Sequence, residues 1–137
     1  IEHVLRYYRN DIDYVGAKVT LNGELVKFNN QYPIIDNGTT LVPIRAIGEM
    51  LKAKVEWDQA KGIATVKKGD KTIKLYTGTT TAYINDDEYE LEVSAEVVNN
   101  RTLVPLRFVA ESLDMEVIWH GETRMVELVS KDVIKSE

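Results

Sequence analysis

The amino-acid sequence predicts an α+β fold made from two tandem copies of one small unit. Three observations lead there. The string Thr40-Leu41-Val42-Pro43-Ile44-Arg45 returns as Thr102-Leu103-Val104-Pro105-Leu106-Arg107. Each string opens an apolar stripe at helical spacing. Segments that alternate with period two, punctuated by turn residues, flank both stripes.

The repeat is in register over more than the shared string. The offset of 62 that carries Pro43 onto Pro105 also carries Glu49 onto Glu111, Val55 onto Val117 and Trp57 onto Trp119. Nine of the nineteen positions in 40–58 match 102–120, in a chain with only three Pro and two Trp, so chance is a poor explanation. Upstream, Leu21-Asn22-Gly23 pairs with Ile84-Asn85-Asp86 at offset 63. The copies are expected over residues 17–78 and 79–130, with a linker or extension at 1–16 and a tail at 131–137. Units of about 60 residues bury little surface alone, so packing the copies together is the expected remedy.

Within copy one, residues 18–21 and 24–28 flank Asn22-Gly23, a pair suited to a turn that needs positive φ at both positions. Residues 29–37 read as a loop ending in Gly38. Pro43 is expected at the first helical position, where its missing N–H is harmless. Ile44, Ile47 and Leu51 then form one helix face, as Leu106, Val109, Ala110 and Leu113 do in copy two. After the helix, Val55 and Trp57 alternate with Lys54 and Glu56. A strand at 63–67 follows, and Gly69-Asp70 turns it back into 72–76. Each copy is therefore expected to run strand, strand, helix, strand, strand. Tight turns make the sheets mainly antiparallel, each packed on one helix.

The bulk numbers exclude several functions. With 44% apolar and 28% charged residues, the chain has the composition of a folded domain, and no stretch approaches the roughly 20 apolar residues that span a bilayer. The net charge of −5 repels a phosphate backbone, and no basic stripe offsets it, so nucleic acid is not expected. Lys67, Lys68, Lys71 and Lys74 suit a solvated sheet face. The absence of cysteine removes disulfides and thiolate chemistry. The two histidines, His3 and His120, lie at the start of the chain and in an expected turn, and form no His-x-x-x-His pair. No Gly-x-Ser-x-Gly elbow is present. Neither metal, cofactor nor catalytic residue is expected. A small hydrolase using two of the 22 acids is the minor alternative.

The repeated polar residues read as parts of the fold. Arg45 with Glu49, and Arg107 with Glu111, are spaced i,i+4 and are expected to pair, contributing a few tenths of about 1 kcal/mol. The competing reading is twin anion sites. Trp57 and Trp119 share the face of Val55 and Val117 and are expected to cap the core, against a role as sugar platforms. The acidic run 86–93 reads as a strand with Tyr89, Leu91 and Val93 inward. Asp11 and Asp13 do not complete a calcium loop. Val4, Leu5, Tyr7 and Tyr8 suit a short element before the first copy.

The strings quoted above, with Val55-Glu56-Trp57-Asp58 and Val117-Ile118-Trp119, resemble the copper amine oxidase N-terminal domain-like, or stalk, repeat of Firmicutes surface proteins. The resemblance covers about residues 17–130. It implies an exported, non-catalytic module with Pro43, Arg45, Glu49, Trp57, Pro105, Arg107, Glu111 and Trp119 as family positions. The duplication and the missing catalytic sets make a spacer or attachment role toward a cell-wall polymer or a neighbouring surface protein the expectation, with assembly into an oligomer or phage-like particle through open strand edges as the alternative. Copper amine oxidases need three His ligands and a quinone formed from Tyr in Asn-Tyr-[Asp/Glu]. This chain has two His, and none of its seven Tyr follows Asn, so catalytic copper and quinone are not expected. Where the family has Gly after the helix, Lys52 and Asp114 stand here, and a left-handed cap would strain them by about 1 kcal/mol.

Overall fold

A computed structural model describes residues 18–28 and 31–131. The expectations on 1–16, including Val4, Leu5, Tyr7, Tyr8, Asp11, Asp13 and His3, lie outside the described residues, as does the tail after Lys131.

The first copy holds β1 (Lys18–Leu21), β2 (Glu24–Leu25), β3 (Ile34–Asp36), β4 (Thr39–Pro43), α1 (Ile44–Leu51), β5 (Lys54–Asp58), β6 (Ile63–Lys68) and β7 (Lys71–Tyr76). The second holds β8 (Thr81–Ile84), β9 (Asp87–Glu90), β10 (Glu96–Val98), β11 (Arg101–Pro105), α2 (Leu106–Ser112), β12 (Met115–His120) and β13 (Met125–Ser130). The α+β class holds. The strand, strand, helix, strand, strand order needs correction, because each copy has a further hairpin before its helix. The stretch read as a loop contains β3, and the shared Thr-Leu-Val-Pro string is a strand. The turns of these hairpins, Asn37-Gly38 and Asn99-Asn100, take positive φ at both residues.

Pro43 and Pro105 end β4 and β11 and cap the helices, one position earlier than expected. Their φ of −61° and −65° is that of the ring, while ψ of 137° and 115° stays extended. A proline cannot donate to a ladder, so the strand stops there and the next residue starts the helix.

The sheets do not follow the copy boundary. One orders β12-β13-β1-β2, one β10-β11-β4-β3, and one β5-β6-β7-β8-β9. Each copy thus lends its leading hairpin to the sheet that holds the other copy's trailing hairpin. β1 lies parallel to β13, with Lys18 opposite Met125 and Leu21 opposite Leu128. The β8-β9 hairpin reaches β6 through β7, which has no partner of its kind in the first sheet. Asn22 and Asn85 fasten these hairpins. The Asn22 side-chain oxygen accepts from the Ser130 N–H at 2.9 Å, and that of Asn85 from the Thr72 N–H at 3.0 Å.

The middle sheet joins the copies directly. β4 and β11 run antiparallel, with Val42 opposite Val104, Leu41 opposite Pro105 and Pro43 opposite Leu103. Each residue of this ladder faces the copy of its mirror position, so a local two-fold passes between Val42 and Val104. Both valines are fully buried. One apolar cluster contains residues of both copies, among them Val19, Ile47, Val66 and Leu75 from the first and Leu106, Val109 and Leu128 from the second. Both expected helix stripes lie in it. Gly48 lets β5 approach α1, because a Cβ there would stand 3.0 Å from the Ala53 carbonyl oxygen and 3.2 Å from a Val55 methyl.

The helix ends match the strain inferred from sequence. Lys52 has φ 55° and ψ 45°, and Asp114 has φ 65°. Asp114 is held there, since Lys71 Nζ reaches its Oδ1 at 3.3 Å and the Ser112 carbonyl at 3.0 Å. Lys52 is exposed and has no comparable side-chain contact among the described residues.

Two outcomes are expected. In single-tryptophan variants Trp57→Phe and Trp119→Phe, urea unfolding followed by fluorescence should give coincident midpoints, because the copies share a core. Val42→Ala should lower stability by about 2 kcal/mol in both backgrounds; a loss seen by only one tryptophan would mean separate folding units. Lys52→Gly should raise stability by roughly 0.5–1 kcal/mol, with no such gain for Asp114→Gly.

Candidate functional site

The family positions cluster around the first turn of each helix, but the two copies present them differently. In copy two the expected pair forms. Arg107 donates to Glu111 Oε2 at 3.1 Å and reaches the Val117 carbonyl at 3.5 Å. Both side chains are about half exposed, so the pair contributes a few tenths of about 1 kcal/mol. In copy one it does not: among the described residues no ion pair joins Arg45 to Glu49, and both are exposed.

Arg45 and Glu49 instead line a cleft of about 680 Å³. Its floor is Pro43, Ile44 and Ala46, at the junction of β4 and α1. Lys27 and Phe28, after β2, form one wall. Trp57 of β5 forms another. The third comes from copy two, where the β10-β11 turn and the start of β11 bring Asn100, Arg101 and Thr102. The cleft therefore exists only because β4 and β11 pair across the two-fold.

The tryptophans are not buried as expected. Trp57 is 38% exposed and Trp119 44%. Trp57 lies opposite buried Ala64, and Trp119 opposite buried Val126. However, β5 and β12 are edge strands, so each indole sits at the rim of its sheet. Leu25, Tyr89 and Val97, the other large apolar residues exposed among the described residues, also lie on edge strands. A second hollow, of about 540 Å³, is also lined by Trp57, together with Glu56, Lys67 and Lys74.

Several other sequence-picked residues stand apart from the cleft. His120 ends β12 instead of lying in a turn, and its Nε2 is 2.8 Å from Glu127 Oε1. In the acidic run, β9 stops at Glu90. Leu91 and Val93 are buried, while Tyr89 is exposed and meets Phe108 edge to face at 5.9 Å. Tyr83 donates to Glu88 Oε1 at 3.3 Å, and that carboxylate pushes the phenol above its ordinary range. Among the described residues no group of three or more His, Asp or Glu is placed to hold a metal ion. No helix among them is long and apolar enough to cross a membrane.

Lys27, Phe28, Ala46 and Arg101 were not picked out by sequence reasoning. Only the repeat alignment could have signalled them, through positions where the copies differ. The charge they create should be measurable. In single-tryptophan variants, iodide should quench Trp57 more strongly relative to caesium than it quenches Trp119, and 1 M salt should shrink the difference. Equal iodide-to-caesium ratios for the two indoles would contradict a positive field at the cleft.

Comparison with known proteins agrees with the motif placement. The family model described as copper amine oxidase N-terminal domain matches residues 20–128, from β1 to β13. A Brevibacillus choshinensis protein named "Protease inhibitor" is 33% identical over 108 residues, which cover 72% of this chain and 30% of that protein. The chain thus spans less than a third of that relative's length. The matched region holds both copies and the cleft, and the chain belongs to the copper amine oxidase N-terminal domain family, a family of non-catalytic modules.

Proposed function

We propose that this chain is a non-catalytic extracellular module of a bacterial surface or secreted protein, which serves as spacer and attachment domain toward a cell-wall polymer or a neighbouring protein. The observation that carries this reading is the cleft between the copies. It combines exposed cations with an exposed indole on a body braced by a shared core, and such a surface binds without needing to react. Family membership supports the non-catalytic part. The residues named as family positions divide in role. Pro43 and Pro105 set the strand-to-helix junctions, Arg107 and Glu111 tie copy two, and Arg45, Glu49 and Trp57 face the cleft.

A second reading has its own observation. Five edge strands each expose one large apolar residue: Leu25, Trp57, Tyr89, Val97 and Trp119. Open edges accept an added strand, so a protein partner or another copy could dock there. The relative named as a protease inhibitor fits a protein-recognition role.

Sedimentation with purified cell wall, at varied protein and wall concentrations, tests the first reading. Saturable retention that falls as salt rises is the expected result. Absence of retention on every wall fraction would remove the polymer-binding form. Light scattering tests the second, which requires mass to grow with concentration or with an added partner.

A further inference from the structure

The two copies do not carry equivalent clefts, and the differences converge. At offset 62 the floor residue Ala46 corresponds to Phe108, so a methyl in copy one stands where copy two has a phenyl ring packed on Tyr89. At offset 63 the wall residue Lys27 corresponds to Glu90. Arg101, donated across the two-fold, corresponds to Thr39. Arg45 has no ion-pair partner among the described residues, while its counterpart Arg107 is held by Glu111 and the Val117 carbonyl. Ala46 makes the first site roomier on its helix side, and Lys27 and Arg101 make it more positive. Lys27, Arg45 and Arg101 outnumber Glu49, so the cleft is positive in a chain of net charge −5.

Duplication alone would give two like sites. We propose that copy one has a single site for an anionic glycan, with Arg45, Lys27 and Arg101 holding its carboxylates or phosphates and Trp57 lying against a sugar ring. This rests on the attachment reading above and names its ligand. Guanidinium groups match planar or tetrahedral oxyanions with paired donors. An indole exposed at the rim offers an apolar plane next to water, which suits the C–H face of a sugar. Asn100 and Thr102 add groups that both donate and accept, as sugar hydroxyls require. An acidic peptide would satisfy the cations, but it would bring backbone groups best met by an open strand edge.

Isothermal titration of the folded chain tests the site with three soluble polymers: phosphomannan, polygalacturonate and neutral dextran. Poly-glutamate serves as the peptide comparison. Binding to at least one anionic glycan, with none to dextran, is expected, and the two polyanions separate phosphate from carboxylate preference. Arg45→Ala and Ala46→Phe should each weaken it roughly tenfold, the loss of a charged hydrogen bond or of the space to form it. Lys27→Glu should act likewise, whereas Arg107→Ala should leave binding unchanged. Circular dichroism checks that each variant folds; Arg45 is exposed, so its variant keeps the test decisive should Ala46→Phe misfold. Binding that Arg45→Ala leaves intact, the absence of binding to both polyanionic glycans, or tighter binding of poly-glutamate would each overturn the proposal. Wall sedimentation of the same variants separates the two readings. Retention unchanged by Arg45→Ala keeps wall attachment and sinks this site. Glycan binding without wall retention does the reverse.

Discussion

The pairing of β4 with β11 is the constraint on which the rest depends. Val42 and Val104 meet across a local two-fold, both shut off from water. A strand that pairs with its own copy must do so antiparallel about such an axis, and this fixes where everything attached to it goes. The prolines that end β4 and β11 send the helices away at opposite ends of the ladder. Each helix then packs against the other copy's central strand as well as its own. With the centre fixed this way, the leading hairpins lie beside the other copy's trailing strands, and neither copy closes a core by itself.

Much of this fold was written in local pattern. The helix stripes, the Asn22-Gly23 turn and the strands around Gly69 depend on neighbours in sequence, and periodicity reports neighbours. The β3-β4 hairpin was harder to read. The three-residue strand before Asn37-Gly38 contains too few alternations to differ from a loop. The exchange of hairpins between sheets was beyond local pattern altogether, since period-two alternation says which face a strand buries and not which strand lies beside it. The tryptophans show the same limit in one residue. Alternation placed Trp57 and Trp119 on the inward face, but the accessibility of that face depends on whether the strand is central or at an edge.

The cleft was illegible for a related reason. Its lining comes from four separate stretches, one of them in the other copy, and its volume reflects a side chain that is small, Ala46, and not one that is conspicuous. The repeat itself held the clue. Residues shared by the copies, such as Pro43 with Pro105, maintain the common architecture. Residues at which they differ, such as Ala46 with Phe108 and Lys27 with Glu90, make the two halves of one scaffold do different things. Arg45 and Arg107 fall between these classes: the same side chain is a brace in one setting and an open donor in the other.

The parallel contact of β1 with β13 also determines how the domain carries tension. Lys18 lies opposite Met125, and Leu21 opposite Leu128, so the first described strand and the last full strand point the same way. A pull transmitted backward through Lys18 and forward through Ser130 would slide these two strands past each other along their length. The hydrogen bonds between them would be loaded together, in shear, instead of opening one at a time like a zipper. Asn22, whose side chain grips the Ser130 N–H, sits where that sliding would begin to register. A pull applied along these two strands would thus load the domain in shear.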